Sequence, residues 1–300
     1  MQLVPNATFG LDLALRVLPS GGRVVRTDHA YPSVVGALDA WATRTGGTVE
    51  VVALPLDADP GRDAETVLAA TQHADAAVLD ACASATARWL PLAQLVPQLR
   101  ARGTTVVVDA AHVPGQVPAE VDALGADAWV GNLHKWACAP HALAAIVLHP
   151  RHASFVGPLV HSAASGTSDF PDGSAWWGTT DPGPMLVAGQ VVDQARDVLG
   201  ALAPSIEAMV VDGADRVADR VGGRVVGGGR GWMRVVELPA AGGAGRDTAR
   251  QVMAGLRTHG VEAKVSPWQD RLLLRLSAHA YTRPEDHERL ATALADVLGR

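Results

Sequence analysis

The sequence predicts an α/β protein: a mostly parallel sheet flanked by helices, followed by a smaller α+β C-terminal domain. Three observations lead there. Short β-branched runs alternate with stretches of helical period through residue 150, which is the pattern of a sheet covered on both faces. The segment from His161 to Pro184 is rich in Ser, Gly, Pro and Asp and has no period, marking a long loop or crossing segment. Beyond it, strand candidates cluster with helices between them. The boundaries that follow are a large domain over 1–200 and a small one over 201–300.

In chain order, Leu11, Leu15 and Leu18 fall at helical spacing, which predicts a first helix over Thr8 to Leu18 with Thr8 as N-cap and Pro19 to Gly22 as stop. Strand-like runs over Arg23–Arg26, Thr48–Ala53 and Ala76–Leu79 enclose helical stretches over Pro32–Thr43 and Ala64–Thr71. The alternation continues with a helix over Pro91–Arg102, strands at Thr104–Asp109, Ala128–Gly131 and Ala142–Leu148, and a turn with a short helix over Val117–Leu124. Met185–Leu202 and Ser205–Val221 read as two helices. Arg224–Val226, Trp232–Leu238, Glu262–Val265 and Leu272–Leu276 read as the strands of the small domain, interrupted by a helix over Asp247–His259. Thr282 and Glu285, spaced as a capping box, open a last helix that runs to Leu298.

Composition narrows the classes of function. A chain of 300 residues with 48% apolar and 19% charged side chains is globular. With a net charge of −6 and dispersed Lys and Arg it has no basic field for a phosphate backbone, so nucleic acid is not an expected partner. No apolar run reaches the roughly 18 residues that cross a bilayer, so no membrane partner is expected. Cys82 and Cys138 make no disulfide framework, and the first residues lack a basic, then apolar, leader, so a cytoplasmic location is expected. His149 and His152 flank Pro150 without a third ligand at useful spacing, and no metal site is expected.

The most informative stretch is "VVVDAAHVPG", residues 106–115, an apolar strand ending in a carboxylate. Asp109 there either caps a turn or sits at the C-terminal edge of the sheet, where open α/β folds bind ligands. A second strand ends in "VGNLHKW" and delivers Lys135 to the same edge, 26 residues after Asp109. With an ordinary pKa of about 10.4, a lysine held neutral at pH 7 costs roughly 4–5 kcal/mol, so a purely structural one reaches for solvent. A Schiff base to an aldehyde cofactor removes that cost. A carboxylate such as Asp109 would then keep a pyridine nitrogen protonated.

From Leu79 to Leu148, and above all in "VVVDAAHVPGQVPAEVDALGADAWVGNLHKW", the chain resembles the class V aminotransferases, pyridoxal-phosphate enzymes of fold type I, and among them the isopenicillin N epimerase-like members. The resemblance implies pyridoxal 5′-phosphate as cofactor, Lys135 as the residue forming the internal aldimine, and Asp109 as the partner of the pyridine nitrogen. It also implies His112 near the ring and His134 near the phosphate. Asn6, Ala7 and Thr8 match the family's phosphate motif at a helix N-terminus. "DHAYPS" matches the segment that supplies a ring stacked on the cofactor, with Tyr31 first and His29 second. Ser84 matches the contact to the phenolic oxygen, with Ala87 in place of the usual glycine.

"WWGTTD" resembles the loop that lends a Gly-Thr pair, here Gly178 and Thr179, to the phosphate of the neighbouring subunit. A homodimer with shared active sites is implied. "LLRLSAHAYTRPED" resembles the segment whose arginine, here Arg275, forks onto the substrate α-carboxylate, which implies an amino-acid-like substrate. Two departures stand out. The resemblance implies a leading segment of several dozen residues before the first helix, with no counterpart ahead of Thr8, so a truncated, a divergent or a partner-completed enzyme is expected, and His141-Ala142 replaces an Arg-Gly pair, which predicts an altered turn after Lys135. The expected activity is a pyridoxal-phosphate enzyme of the transaminating or epimerising kind, with a carbon–sulfur lyase as the alternative. A non-catalytic binding subunit is the reading from another class. Persulfide chemistry is disfavoured because no cysteine follows Cys138, and Cys138 itself is expected to be a packing residue.

Overall fold

The computed structural model describes residues 1–300 apart from 58, 155, 164, 166, 167, 228 and 240–242. Gly228 of the glycine run at 227–231, read from sequence as a hairpin connection, therefore lies outside the described residues. The chain divides into two compact units. The first comprises Met1–Leu54, Asp59–Ala83 and Leu90–Gly200, and the second Pro55–Ala58, Ser84–Trp89 and Ala201–Arg300.

The first unit contains β1 (Gln2–Val4), α1 (Ala7–Ala14), β2 (Arg23–Thr27), α2 (Pro32–Thr45), β3 (Thr48–Val52), α3 (Pro60–Ala70), β4 (Ala76–Asp80), α4 (Leu92–Ala101) and β5 (Thr105–Asp109). It continues through α5 (Val121–Leu124), β6 (Ala128–Asn132), β7 (Ala144–Leu148), α6 (Asp172–Ala175), α7 (Gly183–Leu186) and α8 (Ala188–Gln194). Its strands form a seven-stranded sheet in the order β1-β7-β6-β5-β4-β2-β3. The run from β6 to β3 is parallel, while β7 joins β6 antiparallel and β1 joins β7 antiparallel. β4 and β6 are buried at every position, as central strands covered on both faces must be. β3, at the edge, is buried only at Val52.

Two differences from the sequence reading bear on the site. The cap of α1 is Asn6, whose side chain accepts the Phe9 N–H at 2.9 Å, and not Thr8. An asparagine carbonyl serves the same orphan donors from two residues earlier, so the helix starts at Ala7 and its α-helical part ends at Ala14. Gly10 explains why α1 lies close on the sheet, since a Cβ there would sit 2.7 Å from Val130 Cγ1. β1, absent from the sequence reading, is a three-residue strand too short to leave a periodic signature.

The second unit holds α9 (Gly200–Val221), β8 (Arg224–Val226), β9 (Met233–Leu238), α10 (Arg246–Thr258), β10 (Lys264–Trp268), β11 (Arg271–Ser277) and α11 (Pro284–Leu298), with an antiparallel sheet ordered β10-β11-β9-β8. α9 is continuous through Pro204, where the sequence reading breaks the helix. A π-helical turn over Ala195–Leu199 runs directly into it, so Pro204 lies inside a longer helical stretch, one turn after the backbone has already widened. The cap of α11 also differs from the Thr282–Glu285 expectation: Asp286 accepts the Arg283 N–H at 2.9 Å, while Thr282 Oγ1 accepts the His279 N–H at 3.0 Å.

Candidate active site

The parallel strands β2, β4, β5 and β6 end at one edge of the large sheet in Thr27, Asp80, Asp109 and Asn132. Asp80 and Asp109 are directly paired in the β4–β5 register, and both are buried. Two neighbouring carboxyls out of water disfavour double ionisation. Burial comes first among the causes that raise Asp80 well above the usual carboxylate range, followed by the charge of Asp109; N–H groups of Asp80 itself and Tyr31 and the charge of Arg26 oppose the rise. Burial raises Asp109 as well, against the Ala111 N–H, which donates to its Oδ1 at 2.9 Å, and the charge of Lys135.

Lys135 stands three residues past the end of β6. Its Nζ lies 3.0 Å from His112 Nε2, which follows β5, so the two strand ends predicted to carry the chemistry meet at one point. Glycine makes the approach possible. Gly115, in the turn after His112, has φ +86°, and a Cβ on it would lie 2.3 Å from the Ala137 nitrogen. Gly131 similarly leaves room for the Trp129 ring and for Pro114. Gln116 Nε2 donates to the His112 carbonyl at 2.6 Å and holds the turn.

His134 is fixed by Leu143, whose carbonyl lies 2.8 Å from His134 Nδ1. Burial lowers its pKa first, with the Leu143 bond opposing and the charge of Lys135 adding to the fall. Beyond the motif, His141-Ala142 does not abolish the turn: Ala142 adopts φ +67°, the left-handed conformation glycine would take. The same holds at Ala87, with φ +52°. Cys138 is exposed, a correction to its reading as a packing residue, because its φ of +56° turns it out of the Lys135 turn. Partial burial still raises its thiol, which keeps it protonated at neutral pH.

At the start of α1, the Ala7 N–H is donated to Asn132 Oδ1 at 2.8 Å, which ties the helix to the end of β6. Thr8 is exposed and its hydroxyl lies 3.4 Å from Ser33 Oγ, a residue in the first turn of α2. Two helix N-termini and two hydroxyls thus converge. Tyr31 caps α2 and is 46% exposed, whereas His29 is buried with Nε2 3.2 Å from the Leu54 carbonyl. Gly178, at φ +112°, has open space where a Cβ would go, and Thr179 is exposed. In the second unit, Arg275 Nη1 donates to the Ser84 carbonyl at 2.7 Å and to its hydroxyl at 3.0 Å.

Sequence reasoning passed over Asp80, Asn132, Ser33 and Trp136. Asp80 carried a usable signal, since "AAVLD" ends an apolar strand in a carboxylate just as "VVVD" does. The others act through contacts across 24 to 125 residues of chain and left no local pattern.

Comparison with known proteins places this arrangement. An L-cysteine desulfhydrase of Arabidopsis thaliana is 30% identical over 214 residues, 64% of this chain and 46% of that protein. The isopenicillin N epimerase of Streptomyces clavuligerus is 28% identical over 327 aligned positions, 100% of this chain and 80% of the epimerase. The chain spans less than half the length of the plant relatives it matches. Among solved structures, a variant of C-DES with glycine covalently linked to its PLP cofactor superposes with a TM-score of 0.80 at 18% identity, covering 98% of this chain and 80% of that one. The likeness is one of fold, that of the PLP-dependent proteins of fold type I. A family model, aminotransferase class-V, matches residues 4–177, the stretch that contains Asn6, Asp109, His112 and Lys135. With more than half of its length matched, this chain belongs to the aminotransferase class-V family.

Proposed function

We propose that the protein is a pyridoxal 5′-phosphate enzyme that moves the α-proton of an amino acid, with Lys135 as both the covalent anchor of the cofactor and the base. The observation that carries this is the meeting of Lys135 Nζ with His112 beside the buried Asp109 carboxyl at one sheet edge. The donors present fit the cofactor chemically. Asp109 offers a buried carboxyl to a protonated pyridine nitrogen, and the α1 N-terminus with Thr8 and Ser33 offers donors to a phosphate dianion. The Tyr31 ring is the exposed aromatic surface available for stacking.

When bound, pyridoxal 5′-phosphate supplies a sink for the electron pair left at the substrate Cα. The chain's residues do the rest. Lys135 takes the α-proton and returns it, Asp109 holds the proton of the ring nitrogen, and Arg275 is the guanidinium for the substrate carboxylate. Gly178 and Thr179 are proposed to serve a neighbouring copy in a homodimer. Return of a proton to the opposite face of Cα gives epimerisation, and its delivery to the cofactor side gives transamination. Identity with plant L-cysteine desulfhydrases favours a second reading, in which departure of a sulfur substituent follows proton removal.

The test is a panel of amino acids in deuterated water with added cofactor. Deuterium is expected at Cα of each accepted amino acid that is recovered as an amino acid, and sulfide with ammonia and pyruvate from L-cysteine selects the second reading. Absence of both exchange and any keto-acid or sulfide product from all of them, with cofactor bound, contradicts the proposal and leaves a binding protein.

A further inference from the structure

Trp136 is buried, and its indole N–H donates to His112 Nδ1 at 3.3 Å, while the other ring nitrogen, Nε2, lies 3.0 Å from Lys135 Nζ. An indole nitrogen is only ever a donor. The imidazole nitrogen facing it is therefore the one with the lone pair, which puts the ring proton on Nε2. A protonated Nε2 at hydrogen-bond distance from an amine requires a lone pair on that amine, and an ammonium has none. Doubly protonated His112 is disfavoured by the same geometry, because it would turn an Nδ1–H toward the indole N–H.

We propose that Trp136 is a positioning residue that fixes the His112 tautomer and thereby holds Lys135 as the neutral amine. This rests on the reading of Lys135 as the cofactor's anchor and adds what makes its nitrogen ready to attack. The two rings are tilted by 56° at 6.2 Å between centroids, so they are not stacked and the N–H can point at the imidazole. Asp109 and His134 also act on the amine. Asp109, from β5, favours the ammonium when ionised, but burial raises its carboxyl and limits that ionisation. His134, in the same turn as Lys135, disfavours the ammonium whenever it is charged.

The chain has only two lysines, Lys135 and Lys264, so an internal reference is built in. Lys264 is exposed on β10. The experiment acylates the cofactor-free protein with acetic anhydride at a series of pH values and reads both lysines by mass spectrometry. Lys135 is expected to react at lower pH than Lys264. Trp136→Phe, which keeps a packed ring but removes the N–H, should slow acylation of Lys135 about tenfold near pH 7, the effect of one pH unit in amine ionisation, with Lys264 unmoved. His112→Gln keeps an acceptor for the indole and a donor for the amine, and should retain the wild-type Lys135 profile.

Coincident profiles for the two lysines in the wild type, or a Lys135 profile indifferent to Trp136→Phe, overturn the proposal. Because no cofactor is present, these outcomes are separate from failure of the functional reading, which would appear as a wild type that acylates as expected yet never binds pyridoxal 5′-phosphate.

Discussion

The two ends of the β5–β6 pair both bury acidic side chains, and they treat them in opposite ways. At the N-terminal end, Asp127 is fully buried and fully answered: it accepts the Val106 N–H at 2.9 Å and meets Arg151 at 2.5 Å, His152 at 2.9 Å and Arg100 at 3.8 Å. At the C-terminal end, Asp80 and Asp109 are set side by side, and burial leaves both carboxyls above their ordinary range. One cluster is closed by its own countercharges. The other is built with proton affinity in reserve, the condition expected of a site that receives a cationic ring nitrogen. The two polar clusters are told apart by compensation, since burial is common to both.

Substitutions sharpen that contrast. The largest effect is expected from Lys135→Ala, which should lower α-proton exchange by roughly 10²- to 10⁴-fold, the range for loss of a positioned base, while leaving the melting temperature near that of the wild type. Asp127→Ala should do the reverse. It strips the Val106 N–H and His152 of their partner and is expected to cost about 2–4 kcal/mol in denaturant unfolding, with little change in turnover per folded molecule. The lower part of that range allows for Arg151, whose side chain is 46% exposed and keeps its water. Equal losses of activity from both variants would erase the distinction between the two ends.

Backbone strain near the site gives a smaller effect. Ala142 and Ala87 hold left-handed conformations that favour glycine, so Ala142→Gly and Ala87→Gly should each stabilise by about 0.5–1 kcal/mol in chemical denaturation. A loss of stability at either position would mean that the methyl group packs well enough to outweigh the strain.

A further expected effect is the dependence of stability on pH. A carboxyl whose folded pKa is raised above its unfolded value binds more protons in the folded state. Its stability contribution is then complete below the ordinary range near pH 4 and is lost as the pH rises through the raised value. Melting of the cofactor-free protein should therefore fall as the pH rises above about 4, and Asp80→Asn, which stays neutral, should flatten that fall. An identical slope in the variant would assign the dependence elsewhere.

Much of this was legible in the sequence, and the reasons are physical. Strands β4, β5 and β6 announce themselves as continuous apolar runs because both faces are buried. Asp109 and Lys135 are readable because a charged residue ending such a run has nowhere to go but the sheet edge. What escaped was whatever depends on a partner distant in sequence. The tie from Asn132 to the start of α1 was invisible from either side alone, and so was the indole bond from Trp136 to His112. Boundaries set by capping were misplaced by one or two residues, since Asn6 and Thr8 are both competent caps and only the three-dimensional path of the chain chooses between them.

The most direct measurement is reduction of the cofactor-loaded protein with borohydride, followed by digestion and mass spectrometry of its two lysine-containing peptides. The account predicts a pyridoxyl group on Lys135 alone, lost in Lys135→Ala. Label on Lys264, or a yellow protein that yields no modified lysine, would contradict it.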